Sequence, residues 1–118
     1  MNKYRLTLPW PPGNNHLFPV FRGRKIKSKK GREYSEKAGE LILKNKWNFK
    51  LNGKLKISIE AYPPDRRVRD LDNLFKAPLD VLTKYNVISD DSNFDDIRMK
   101  RKEIIKHGKL EITISEIE

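Results

Sequence analysis

Cysteine is absent from this 118-residue chain. No disulfide can brace it and no thiolate can hold zinc, which fits a reducing, cytoplasmic setting. Histidine is scarce: His16 and His107 stand far apart, lack metal-ligand spacing, and read as a loop and a turn residue. There is no Gly-rich phosphate loop and no Ser/His/Asp arrangement, so neither a nucleotide cradle nor a serine nucleophile is in view. No small-molecule cofactor is expected. No long apolar run occurs, so no signal peptide and no membrane span is expected. Acid is outnumbered, with 16 Asp and Glu against 26 Lys and Arg, a formal net charge of +10. That sign and size point to a polyanionic partner. Only 36% of residues are hydrophobic, yet they recur periodically, which argues for a folded chain. Its length suits one domain, residues 1–118, with a modest core.

Tyr4, Leu6 and Leu8 alternate with Arg5 and Thr7, predicting a short half-buried strand. Pro9, Pro11, Pro12, Gly13 and Asn14-Asn15 end it. Arg22, Arg24, Lys25, Lys27, Lys29, Lys30 and Arg32 then place seven positive charges in eleven residues, with no acid among them. An exposed binding loop is expected there, with Gly23 turning a small hairpin. Ser28 can cap a helix over about Lys30 to Trp47. Asn52-Gly53 marks a turn, and Leu55, Ile57, Ile59 and Ala61 define a second strand closed by Pro63-Pro64. A second helix should begin near Asp70 to Asp72 and bury Leu71, Leu74, Phe75, Leu82 and Tyr85. Pro78 would kink it, and Asn86 would close it in a left-handed conformation. Ile97 to Ile105 reads as a basic strand carrying Arg98, Lys100, Arg101 and Lys102. His107-Gly108 reads as a hairpin turn, and Leu110, Ile112 and Ile114 as the last strand. The order β-α-β-α-β-β predicts an α+β domain with helices packed on one mixed sheet. Trp10, Trp47 and Phe49 are expected to pack at the core or at helix ends rather than to stack on bases.

The stretch Asp65 to Asp91 carries the chemistry. Arg66, Arg67 and Arg69 precede Asp70 and Asp72, Lys76 follows, and Asp90 with Asp91 comes after the helix. Clustered carboxylates suit Mg²⁺, a hard cation that takes oxygen ligands, and guanidinium groups suit phosphate. Singly, each acid has an ordinary explanation: Asp70 as a helix cap, Asp90-Asp91-Ser92-Asn93 as a polar turn, Lys76 as an i,i+4 partner of Asp72. Together they read as metal-dependent phosphodiester chemistry. If the chain is extended through Asp70 and helical only from Asp72, both carboxylates can reach one point. A return of the chain at Asp90-Asp91 would permit a third.

The motif of Asp70, Asp72, Asn73 and Lys76, the arginine run before it and the acidic pair after it resemble the signature of the RusA family of Holliday junction resolvases. Leu8 to Asn15 resembles that family's N-terminal Pro-rich turn, and Leu110 to Ile114 its last strand, so the likeness spans the chain. The resemblance implies a prophage-associated, homodimeric, Mg²⁺-dependent endonuclease, with Mn²⁺ as the alternative ion. Such an enzyme cuts four-way DNA junctions by paired nicks in recombination and repair. It makes Asp70, Asp72 and Asp91 the essential carboxylates, Asp90 an accessory metal ligand and Lys76 a catalytic lysine. DNA contacts are expected from the seven cations of Arg22 to Arg32, from Arg66, Arg67 and Arg69, and from Arg98, Lys100, Arg101 and Lys102. Pro78 and Leu79 are not matched to the family pattern. Two rival classes stay open: a non-catalytic basic binder of branched or single-stranded nucleic acid, and a metal-dependent nuclease for another DNA structure or RNA. Carboxylate density inside a basic protein separates the first rival, since a pure binder gains nothing from acids beside phosphates.

Overall fold

The computed structural model describes residues 2–12, 20–21, 24–25 and 28–117. Its strands are β1 (Lys3–Pro9), β2 (Val20–Phe21), β3 (Arg24–Lys25), β4 (Leu55–Tyr62), β5 (Phe94–Arg101) and β6 (Lys109–Glu116). Its α-helices are α1 (Lys29–Lys44) and α2 (Lys76–Lys84), with 3₁₀ turns at Leu71–Leu74 and Asp91–Asn93. Four strands form one mixed sheet in the order β1-β6-β4-β5. β6 lies antiparallel to both β1 and β4, while β4 and β5 run parallel. The fold is α+β, as the pattern of elements predicts.

Period-two alternation decides which face is covered. Leu55, Ile57, Ile59 and Ala61 of β4 and Leu110, Ile112 and Ile114 of β6 are sealed from solvent, and Leu6 and Leu8 join them from β1. From the helices, Ala38, Ile42, Val81 and Leu82 complete this core. Tyr34 of α1 also enters it and donates its hydroxyl to the Pro9 carbonyl at 3.0 Å. Burial pushes that hydroxyl's pKa far up, so it stays a donor. Gly39 lets α1 approach the end of α2, because a Cβ there would lie 2.2 Å from the Tyr85 ring.

Several local expectations hold. Ser28 caps α1 by accepting from the Gly31 N–H at 3.0 Å, and Asn86 is left-handed at φ 63°. β2 and β3 pair as a small hairpin, although Gly23 itself lies outside the described residues.

Others are corrected. α1 ends at Lys44, three residues short of Trp47, where Asn45 closes it and Lys46 turns left-handed at φ 57°. Pro78 kinks nothing. The expected second helix is split at Phe75 into a 3₁₀ turn and α2, so Pro78 falls in the first turn of α2. There its missing N–H has no intrahelical partner to lose. Leu74 and Leu82 are buried as expected, but Leu71, Phe75 and Tyr85 are only half-buried, and Ala77 and Val81 are in the core instead. β5 spans Phe94–Arg101 rather than Ile97 to Ile105. Its register against β4 shifts by one residue, since Leu55 pairs with Phe94 but Lys56 with Asp96. That extra residue breaks the alternation and hides where the strand begins. His107-Gly108 is a tight left-handed turn, φ 71° and 67°, but it joins no hairpin, because β4 lies between β5 and β6.

Candidate active site

After Pro63-Pro64 the chain has no regular structure until Leu71 and forms a strap over residues 65–70. Asp65 shapes it. Its Oδ1 accepts from the Arg67 backbone N–H at 3.0 Å and pairs with Arg69 Nη2 at 2.8 Å. The Arg67 amide first, and Arg69 with it, hold the Asp65 carboxyl below its ordinary range. The Arg69 guanidinium lies 5.5 Å from the centroid of the Trp10 ring, a cation–π contact. The Arg69 carbonyl in turn accepts from the Arg101 side chain at the end of β5. Sequence reasoning singled out Arg69 and Arg101 but missed Asp65 and the partnership of Trp10, because these contacts join segments distant in the chain.

Asp70 then follows in an extended conformation, φ −83° and ψ 131°, directly before the 3₁₀ turn. Its side chain caps nothing, which removes the helix-cap explanation for it. Asp70 and Asp72 are both exposed, and neither side chain has a hydrogen bond or ion pair among the described residues. On one side of the strap, Asp70 shares a concavity of about 510 Å³ with Arg67, Asn73, Trp10 and Lys30 of α1. A carboxylate with no partner among the described residues and three cations, Lys30, Arg67 and Arg69, thus border one hollow. Lys76, at the start of α2, lies 3.6 Å from Asp80 one turn on.

The second acidic segment is built differently. Asp90 accepts from the Ser92 N–H at 3.0 Å while Asn93 Oδ1 accepts from the Asp90 N–H at 3.0 Å, a reciprocal capping box. Asn93 also donates to the Gly53 carbonyl at 2.9 Å, and the Ser89 hydroxyl is 3.0 Å from Asn52 Oδ1. Hydrogen bonds from Ser92, side chain and then backbone, hold the Asp90 carboxyl below its usual range. The polar-turn explanation therefore fits Asp90. Asp91 is exposed and has no such partner among the described residues.

Topology keeps the two segments apart. The strap leaves β4 beside the Ala61–Arg101 rung, and Asp91 enters β5 beside the Leu55–Phe94 rung. Six residue steps of strand separate those rungs, ~20 Å. A parallel crossover departs from one end of a sheet and returns at the other. Among the described residues, no three carboxylate or imidazole side chains are close enough to hold one metal ion. Asp70, Asp72 and Asp91 are nonetheless hard, exposed oxygen donors whose side chains have no partner among the described residues, and so chemically suited to Mg²⁺.

The cations fall into two groups. Lys29, Lys30 and Arg32 are exposed on the first turn of α1, and Arg66 and Arg67 on the strap. Arg24 and Lys25 form β3, whereas Arg22 and Lys27 lie outside the described residues. On β5, Arg98 grips Asp96 through two hydrogen bonds of 3.2 Å, and Lys102 just beyond pairs with Glu60 at 3.5 Å. Lys100 is exposed.

Fold and site together define a small α+β protein with uncommitted acids set among cations, the make-up of a phosphodiester-cleaving enzyme. Residues 9–115 match the family Endodeoxyribonuclease RusA. The chain is 43% identical over 117 residues to the crossover junction endodeoxyribonucleases RusA of Enterobacteria phage 82 and of Escherichia coli K12, covering 99% of this chain and 98% of each relative. The Shigella sonnei protein of that name is equally similar. The chain belongs to the RusA endodeoxyribonuclease family and is an endonuclease. Among the described residues, no helix is long and apolar enough to cross a membrane.

Proposed function

We propose that this protein is a Mg²⁺-dependent resolvase of four-way DNA junctions, acting as a homodimer in recombination and repair. The observation that carries the reading is Asp70, whose side chain has no partner among the described residues, sharing a hollow with Lys30 and Arg67. A binder of DNA would place no free carboxylate beside phosphate-binding cations unless a cation came between them. Names of the relatives point to the same substrate, crossover junctions.

Asp70, Asp72 and Asp91 are the residues that would hold the ion, with Asp90 fixing the turn that presents Asp91. Bound there, Mg²⁺ supplies a polarised phosphoryl oxygen and a more acidic water. Arg66, Arg67 and Lys30 hold the phosphates on either side, and Lys76 supplies positive charge to the phosphate as its negative charge grows. Because the two acidic segments lie at opposite ends of the β4–β5 edge, a two-fold pair of chains offers a way to bring them together: the axis reverses that edge. Such a pair also presents two like sites to a substrate with two-fold symmetry, which suits paired nicks.

The test is to incubate the protein with a synthetic mobile four-way junction and Mg²⁺, beside a matched linear duplex. Paired nicks in the junction and an intact duplex are expected, and equal cutting of both would overturn junction selectivity. Mixing Asp70→Asn with Asp91→Asn chains examines the dimer. If each site draws on both chains, the mixed pairs regain one intact site and nick one strand. If each site lies within one chain, mixing restores nothing.

A further inference from the structure

A second cavity, of about 480 Å³, opens on the other side of the strap, between it and residues 101–104. Its walls are largely apolar, with Trp10, Leu71 and Leu74 among them. Two aliphatic side chains line it from exposed positions. Val68 is 99% exposed and Ile104 47%, although both follow or flank charged residues and neither contributes to the core. The rim has the opposite character. Arg66, Arg67, Arg69, Arg101 and Lys102 stand around it against Asp65 and Glu103, and Asp65 is already occupied by the strap.

An apolar slot inside a cationic rim discriminates among occupants. An apolar peptide or a lipid chain would leave the cationic excess of the rim unanswered, Arg66 and Arg101 having no acidic partner among the described residues, and a bare phosphate would leave Val68 and Ile104 uncovered. A nucleotide answers both, because its planar base is apolar on its faces and its backbone is anionic. The volume falls in the range of small-ligand sites and takes a base. Arg69 belongs to this rim and directly precedes Asp70, so a base seated here belongs to the strand held at the carboxylate. A branch point supplies such bases, since removing a base from its stack costs least where pairing is already disturbed.

We propose that this cavity receives one unstacked nucleobase of the strand to be cut, with Val68 and Ile104 covering its faces. The assignment rests on the nuclease reading and adds to it a reason for preferring disturbed DNA over a continuous duplex. No bond is made or broken in the pocket.

The experiment is an abasic scan by binding, free of metal so that nothing is cleaved. Single abasic sites are placed in turn at each position around the branch of a four-way junction, and the same series is made in an unpaired oligonucleotide. Affinities are measured for the wild-type chain and for the double variant Val68→Ser/Ile104→Ser, whose exposed positions leave the core intact; circular dichroism checks its fold. In the wild type, one position should stand out, with affinity falling about 5- to 100-fold when its base is missing. In the double variant the intact DNA should be weakened by a similar factor, and the abasic site should cost nothing further. A flat scan on both DNAs overturns the pocket, as does a position-specific loss that persists undiminished in the variant. Absence of junction cleavage by wild type in Mg²⁺ would instead overturn the nuclease reading, and the scan on the unpaired strand would still decide the pocket.

Discussion

The strap at residues 65–70 and the turn at residues 89–93 are both acidic, both irregular and both attached to the β4–β5 edge, yet their carboxylates divide in the same way. In each, the first acid shapes the backbone. Asp65 takes an amide and a guanidinium, and Asp90 closes a capping box. In each, the following acids are exposed and their side chains have no partner among the described residues: Asp70 and Asp72 at the end of the strap and just beyond it, Asp91 within the turn. Proximity in sequence therefore says little about role, and adjacent aspartates can serve different ends. A carboxylate that has satisfied its lone pairs on the backbone has little left for a cation.

Substitution can break this division most forcefully at the uncommitted acids. Asp70→Asn, Asp72→Asn and Asp91→Asn should each lower single-turnover nicking of a junction by roughly 10³-fold or more, with metal-free junction binding close to wild type. A near-normal nicking rate in any one removes that residue from the site. Lys76→Ala should cost roughly 10²-fold in nicking with binding little changed. Lys76→Arg should stay mostly inactive if a compact charge is needed, and would be well tolerated if the residue serves only its pairing with Asp80.

The shaping acids should behave otherwise. Asp65→Ala frees Arg69 and loosens the strap before Asp70, so nicking should fall about tenfold while the melting temperature hardly moves. Asp90→Ala should do the reverse: it removes a cap and lowers the melting temperature by roughly 4 °C, with nicking changed only a few fold. Asp90→Asn, which retains a capping oxygen, should lie closer to wild type. If Asp90→Asn proves as inactive as Asp91→Asn, the division fails. The smallest effect concerns pH. Asp65, Asp90 and Asp96 are all held below their ordinary carboxyl range by hydrogen bonds, to which neighbouring arginines add at Asp65 and Asp96. A depressed folded-state pKa adds stability above the unfolded-state value and loses it as pH falls through the folded one. Urea midpoints should therefore drop below about pH 4, and the drop should be shallower in Asp90→Asn.

Legibility in the sequence followed how local each interaction is. The Ser28 cap, the left-handed Asn86 and the alternation of β4 and β6 depend on neighbours within a few residues, and all could be read directly. What escaped was set by partners far along the chain. β5 was misplaced because a register shift, visible only against β4, breaks its alternation. The expected hairpin at His107-Gly108 failed because β6 inserts between β1 and β4. The return of the chain at Asp90-Asp91 permitted a third carboxylate beside Asp70 and Asp72, and the direction of β5, which sets where that return lies, could not be read. A parallel strand, unlike an antiparallel one, separates the ends that the crossover joins.

The place of β6 has a consequence in time. Its residues are synthesised after those of the other described strands and helices, yet it occupies an interior position in the sheet, pairing Ser115 with Lys3 on one side and with Lys56 on the other. Until it arrives, β1 has no partner strand among the described residues and β4 presents an open edge. The β4–α2–β5 unit that carries every candidate carboxylate can form early, but the strand that joins it to Trp10 and the strap's anchor comes at the end. Such long-range pairing makes for slow folding. It also means that a ribosome carrying an unfinished copy exposes acids and arginines on a half-built sheet. Loss of β6 would leave the sequence motif intact while taking away the strand that β1 pairs with and one of the two that flank β4.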